Sequence, residues 1–356
     1  MTSTVQAEPL PAATVPVAEA TAMHREAGEG AASVARFLSR NAATLQALGE
    51  SLRADPPALV VTCARGSSDH AATYGKYLVE TLCGVPVASA APSVASVYAT
   101  RMERMNALVI AVSQSGRSPD LLRTVESYKA AGARVVALVN VEDSPLAALA
   151  DTVLPLSAGA ETSVAATKSF IVSLAGLAAI AAHWSGDAEL LAALDGLPAQ
   201  LEAAFALDWT AVADTLVDAR NLFVIGRGYS FGVAQEAALK MKETSALHAE
   251  AFSSAEVRHG PMAIINDGFP LLGFATSDDA GDDVRAASAE FAGRGAAVHL
   301  ADAADGDSHP PAIRSHPAIE PILMIQSFYR MVNTVSLRRG LNPDQPPHLR
   351  KVTETR

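Results

Sequence analysis

The chain has 356 residues, 49% of them apolar, and its 38 acidic residues outnumber 27 basic ones for a net charge of −11. That length suits two domains of ordinary size with a substantial core, and the acidic total argues against a basic stripe for nucleic acid. Two cysteines, Cys63 and Cys83, are too few for a disulfide framework and read as buried small hydrophobes; the nine histidines lack H-x-x-x-H spacing, so neither a metal nor another cofactor is expected.

Residues 1–20 are rich in Ala, Pro and Thr, lack the basic and apolar regions of a signal peptide, and read as disordered. A helical pattern runs from Thr21 to Leu48. Short apolar runs then alternate with helical stretches: strand 58–62, helix Asp69 to Leu82, strand 107–112, helix Pro119 to Ala131, strands 135–139 and 153–156, and a long helix from Val164. Strands read as continuous apolar runs when both faces are covered, and their alternation with helices predicts parallel α/β sheets. The apolar run Phe170 to Trp184 is too short to span a bilayer and reads as a buried helix, so a cytoplasmic protein with no membrane contact is expected.

The pattern restarts at strand 221–225, followed by a helix from Gly228 to about Leu247 and strands 270–274 and 297–300. Arg65, Gly66 and Ser68 match Arg227, Gly228 and Ser230 at an offset of 162 residues, each set following a strand and opening an Ala-rich helix, which favours duplication with a boundary near 190–215.

The clearest candidate site is the turn Ser113, Gln114, Ser115, Gly116, Arg117, Ser118 at the end of strand 107–112. Ser118 suits a helix N-cap and Pro119 the first helical position. Hydroxyls and free amides at a helix N-terminus favour a phosphate without net basic charge, and a parallel strand's carboxyl end is where open α/β sheets bind ligands. Ser67 and Ser68 form a second hydroxyl-rich turn. Thr162 or Ser163 reads as the cap of the long helix. Lys240 and Glu243 share a helix face and, on charge alone, read as a solvated pair. Residues 248–261 read as a long irregular polar segment of the kind that often carries function. The C-terminal tail from Asp344 to Lys351 reads, on composition alone, as a disordered end.

Taken together, Ser113 to Gly116, Glu161 to Lys168, Ala238 to Glu243, His248 to Glu250, Glu256 to Pro261 and Asp344 to Pro346 resemble the sugar isomerase (SIS) family, in particular the isomerase half of glucosamine-6-phosphate synthase and its stand-alone deaminase relatives. The resemblance implies an α/β fold of two tandem flavodoxin-like, three-layer SIS domains, at 21–200 and 201–340, with residues 341–356 as an active-site lid. It implies a sugar-phosphate substrate and a homodimer. Ser113, Gln114, Ser115 and Ser118, with Ser67 and Ser68 beside them, are implied as the phosphate cradle, and Val164 as a backbone contact to the sugar. Glu243 is implied as the base moving a proton between C1 and C2, His259 as the ring-opening group reaching the partner's site, Lys351 as the tail lysine able to form a Schiff base, and Lys240 as a charged neighbour of the reacting centre. Arg117, Ala166 and Arg350 depart from the synthase pattern, and no glutaminase segment is evident. The expected activity is therefore conversion of glucosamine 6-phosphate and water to fructose 6-phosphate and ammonia. The alternatives are an isomerase or deglycase acting on another sugar phosphate, and a non-catalytic sugar-phosphate sensor.

Overall fold

The computed structural model describes residues 18–351. Most of the 1–20 segment, and the tail beyond Lys351, lie outside the described residues; Ala18–Ala20 form a 3₁₀ turn rather than a disordered stretch. The helical pattern from Thr21 resolves into two helices, α1 (Ala22–Gly28) and α2 (Gly30–Ala54). The Thr21 hydroxyl starts α1 by accepting the His24 N–H at 3.2 Å. The break at Glu29 falls between two glycines, each costing a helix interior about 1 kcal/mol relative to alanine.

Five parallel strands follow: β1 (Leu59–Cys63), β2 (Val87–Ser89), β3 (Ala107–Ser113), β4 (Arg134–Val139) and β5 (Thr152–Pro155), in the order β2-β1-β3-β4-β5. They alternate with α3 (Ser67–Leu78), α4 (Pro92–Ser96), α5 (Pro119–Ala130) and α6 (Pro145–Leu149). The sequence reading missed β2, which is three residues long and leaves Ala88 and Ser89 exposed. Every residue of β3 is buried, and the side-chain alternation feeds two cores: Leu108, Ile110 and Val112 join the inner cluster, Val109 and Ala111 the outer.

Helix α7 (Lys168–Ser185) forms the centre of the inner core, packed by α2 and α3. At 18 residues it is long and apolar enough to cross a membrane, against the expectation from its shorter apolar run, but 89% of it is buried inside the protein, as the reading of a core helix requires. It begins at Lys168, four residues later than expected, and its N-cap is Thr167 rather than Thr162 or Ser163, because those two residues are held elsewhere by Glu26.

Helices α8 (Ala188–Ala206) and α9 (Thr210–Leu216) lead to a second parallel sheet. It contains β6 (Asn221–Gly226), β7 (His248–Ser253), β8 (Pro270–Ala275) and β9 (Ala297–Asp302) in the order β7-β6-β8-β9. Helices α10 (Phe231–Ser245), α11 (Asp279–Ala292) and α12 (Glu320–Arg338) complete it. This sheet repeats the order of the first without its last strand, so β6 corresponds to β1 and β8 to β3. The polar segment from His248 is not irregular at its start. It is the edge strand β7, whose exposed His248 and Glu250 masked the strand pattern. One continuous core runs from Met23 on α1 to Val335 on α12, and each sheet carries its own smaller outer core.

Candidate active site

In a β2-β1-β3-β4-β5 sheet the chain leaves β1 and β3 in opposite directions, which opens a crevice at their carboxyl ends. A cavity of about 370 Å³ lies there. Its walls come from the turn after β1 (Arg65 to Ser68), the turn after β3 (Ser113, Gln114, Ser115, Ser118), the loop before α7 (Glu161, Val164, Ala166), Glu243 on α10, and Leu349, Arg350 and Lys351 of the tail.

The β3 turn folds tightly because Gly116 adopts φ +63°, and a side chain there would run into Ser144. Ser113 Oγ accepts the Gly116 N–H at 3.0 Å. Ser118 stands at the N-cap of α5 with Pro119 behind it, as the sequence predicts, but its hydroxyl makes no cap bond and lines the cavity instead. Beside it Arg65 forms a two-pronged pair with buried Asp120, Nε at 2.9 Å and Nη2 at 2.5 Å from Oδ2.

The second half of the chain reaches this cavity because α10 lies directly on α3. A Cβ on Gly232 would sit 2.5 Å from the His70 carbonyl oxygen, so only glycine permits the approach. The contact lines up a chain of titratable groups: His70 Nδ1 lies 3.0 Å from Glu236 Oε2, Lys240 Nζ 3.1 Å from Glu236 Oε1, and Lys240 Nζ 2.5 Å from Glu243 Oε2. Lys240 Nζ also donates to Ser67 Oγ at 3.1 Å, and the Tyr329 hydroxyl to Glu236 Oε1 at 3.2 Å. Burial favours neutral forms, yet the Lys240 ammonium and His70 hold Glu236 below the usual carboxylate range. Burial would likewise lower Lys240, and the Glu236 and Glu243 carboxylates raise it instead. The solvated-pair reading of Lys240 and Glu243 is thus overturned: Lys240 is fully buried, and only Glu243 faces the cavity.

On the opposite wall, Lys351 Nζ lies 2.9 Å from Glu161 Oε2. Burial would raise Glu161; the Lys351 ammonium, the Thr167 N–H and the Ser169 hydroxyl hold it low. The tail from Asp344 to Lys351 is therefore ordered against the protein and not a loose end.

Nine of the expected site residues line one cavity: Ser67, Ser68, Ser113, Gln114, Ser115, Ser118, Val164, Glu243 and Lys351. Lys240 sits behind them. His259 does not join them; it is exposed on the turn after a 3₁₀ segment, Glu256–Arg258. The sequence reading assigned no role to Arg65 or Glu161. Both lie within quoted motifs, but a lone charge beside serines carried no signal of its own. Cys63 is buried and Cys83 only half-buried, a correction to the reading of both as fully internal; burial pushes both thiols up to about 12. Among the described residues, no group of three or more His, Cys, Asp or Glu is placed to hold a metal ion.

Two such sheets, with a hydroxyl-lined crevice at the β1/β3 switch point, make a doubly wound α/β architecture of the ligand-binding kind. The SIS domain profile matches residues 59–183 and 215–306, and the chain belongs to this sugar isomerase family. It is 34% identical over 314 residues to glutamine–fructose-6-phosphate aminotransferase (isomerizing) of Symbiobacterium thermophilum, a match covering 82% of this chain and 51% of that protein. The chain spans about half the length of the curated relatives it matches. A solved structure from Silicibacter pomeroyi DSS-3, provisionally named a phosphosugar isomerase, aligns at TM-score 0.86 and 43% identity over 91% of this chain and all of that one. Glucosamine-6-phosphate deaminase of Thermotoga maritima shares the fold at TM-score 0.70 and 23% identity, over 91% of this chain and all of the other.

Proposed function

We propose that the chain is a cytoplasmic amino-sugar-phosphate deaminase, converting glucosamine 6-phosphate and water to fructose 6-phosphate and ammonia. The observation that carries this reading is the gathering of the Ser113–Ser118 hydroxyls, Glu243 and Lys351 around one cavity. The phosphate lies against the hydroxyls and the start of α5, where the helix dipole favours an anion. The sugar carbons then extend toward Glu243. Glu243 takes the proton from C2 and returns it to C1, turning the amino aldose into a ketose imine. Water adds to the C=N bond, and ammonia leaves. Lys240, engaging one Glu243 oxygen and hydrogen-bonded to Ser67, keeps that carboxylate aimed at the cavity. Paired with Glu161, Lys351 offers an ammonium to the oxygen on C1 as the enolamine develops; a Schiff-base role requires that pair to part. In this reading the protein works as a homodimer, and exposed His259 serves ring opening in the cavity of a second copy.

The test is ammonia release from glucosamine 6-phosphate by the purified protein. Release that stops with Glu243→Gln while the variant still binds the sugar phosphate supports the proposal; a folded protein that releases none refutes it. The resemblance to the Silicibacter pomeroyi protein favours a second reading, aldose–ketose isomerisation with no amine lost. Sugar interconversion without ammonia across a panel of sugar phosphates would establish that one.

A further inference from the structure

Helix α1 lies outside the residues matched by the family profile, yet two walls of the cavity, the loop before α7 and the tail, are tied to it. Asp344, at the root of the tail, accepts the first two N–H groups of α1: Ala22 N at 2.7 Å to Oδ2 and Met23 N at 2.8 Å to Oδ1. One turn further, buried Glu26 takes hold of the loop before α7, accepting the Thr162 hydroxyl at 2.8 Å through Oε1 and the Ser163 N–H at 3.1 Å through Oε2. Glu29, just past the helix, pairs with buried Lys168 at 2.5 Å, at the start of α7. The helix itself is pinned to the core by Thr21, whose hydroxyl contacts Asn333 Oδ1 on α12 at 2.8 Å.

The loop and the tail also meet directly. The Val164 N–H reaches the Asp344 carbonyl oxygen at 3.4 Å, and Lys351 closes on Glu161. Tail residues 344–351 are therefore held at both ends, by α1 at Asp344 and by the loop at Lys351. The loop is held by α1 at Thr162 and Ser163, on either side of which it places Glu161 and Val164 in the cavity wall.

We propose that α1 is a clasp that sets the loop and the tail in register over the cavity, with Glu26 and Asp344 as positioning residues for Val164 and Lys351. Neither carboxylate lines the cavity. Each acts through the segment it holds. A buried carboxylate accepting several N–H and O–H donors fixes those donors far more strictly than packing does, because a lost charge-assisted hydrogen bond leaves its buried partners unsatisfied. Because both segments hang on one short helix, loosening either attachment frees both.

The proposal rests on the catalytic reading for its effect on turnover, so its first test does not use turnover. Hydrogen exchange is measured on the full chain and on Glu26→Gln and Asp344→Asn. The clasp predicts crossed effects: Glu26→Gln speeds exchange at 345–350 as well as at Thr162 and Ser163, and Asp344→Asn speeds it at Thr162 and Ser163, which Asp344 does not touch, as well as at Ala22 and Met23. Changes confined to each variant's own neighbours overturn the clasp, whatever the enzyme's substrate. In a second test, each variant lowers kcat on the active sugar phosphate while phosphate binding at the serine cradle is retained. The double variant falls no further than the worse single one, since residues acting as one unit are non-additive. Multiplying losses in the double variant overturn the shared-clasp claim. Turnover absent already in the parent protein sinks the catalytic reading and leaves the exchange result standing.

Discussion

The turns after β3 and β8 occupy the same place in the two sheets and are filled in opposite ways. After β3, Ser118 stands at the helix N-cap without a cap bond, and the hydroxyl-lined turn faces an open cavity. After β8, Asp278 caps α11 by accepting the Gly281 N–H at 3.2 Å. Buried Glu320 fills the same turn, accepting the Ser277 N–H at 2.7 Å, the Ser277 hydroxyl at 2.8 Å and the Ser315 N–H at 3.1 Å. A carboxylate from α12 thus sits where the first half leaves room for a ligand's anion. The two turns occupy equivalent places in the two sheets, and the second is filled by the protein's own acid. What the second half gives the cavity of the first is the charged face of α10.

The largest test of this division of labour is Glu243→Gln, which should cut turnover by about 10²–10⁴-fold, the usual worth of a placed general base. Binding of the sugar phosphate at the β3 turn should persist, as titration calorimetry would check. Lys240→Met comes next. It leaves Glu236 and Glu243 facing each other across a buried gap, and breaking such a pair costs about 3–5 kcal/mol, read as a lower urea midpoint. The same variant should change the pH profile. Lys240 is raised in the folded state, so its contribution is complete below the usual lysine value and lost as pH climbs through the folded one. Glu236 is lowered, so its contribution is complete above the usual carboxylate value and lost as pH falls through the folded one. The parent should therefore show both an alkaline and an acid limb in its stability; Lys240→Met should lack the alkaline one and weaken the acid one, because Lys240 is a main cause of the lowered Glu236.

A matched pair of serine changes sharpens the comparison directly. Ser118→Ala should weaken sugar-phosphate binding by about 10–100-fold, the worth of a hydrogen bond to a charged group, with an unchanged melting temperature because Ser118 makes no cap bond. Ser277→Ala should do the reverse, costing about 1–3 kcal/mol of stability as the buried Glu320 carboxylate loses a donor, with binding untouched. Equal effects on binding from both would show that the two turns are not specialised. The smallest effect is on pH dependence and is read in Glu320→Gln. Burial raises the Glu320 carboxyl above its usual value despite its hydrogen bonds. The folded protein therefore holds that proton more tightly than the unfolded chain, and stability declines as pH rises from the usual carboxylate value through the folded one. The glutamine variant should flatten that shallow decline.

The alternating apolar runs made the parallel α/β character plain, and the serines of the β3 turn were legible because a strand end followed by Ser118 and Pro119 places them. Strand β7 was not legible, because an edge strand exposes His248 and Glu250 and loses its apolar signature. Lys240 was misread for a related reason: a lysine three residues from a glutamate looks the same on paper whether it faces water or another helix.

What local sequence determines here is everything governed by neighbours along the chain: strand runs, the helix start at Ser118 and Pro119, the tight turn at Gly116. What tertiary structure alone decides is everything that depends on which surfaces meet. Gly232 lets α10 press against α3, and only that approach turns Glu236, Lys240 and Glu243 into a buried charge chain reaching the cavity. The same holds for Asp344 and Glu26, more than 300 residues apart, which α1 links: Asp344 accepts N–H groups at its start, and Glu26 on the helix holds the loop before α7. Burial and long-range pairing set the charge and aim of these groups, and neither is written in the spacing of residues along the chain.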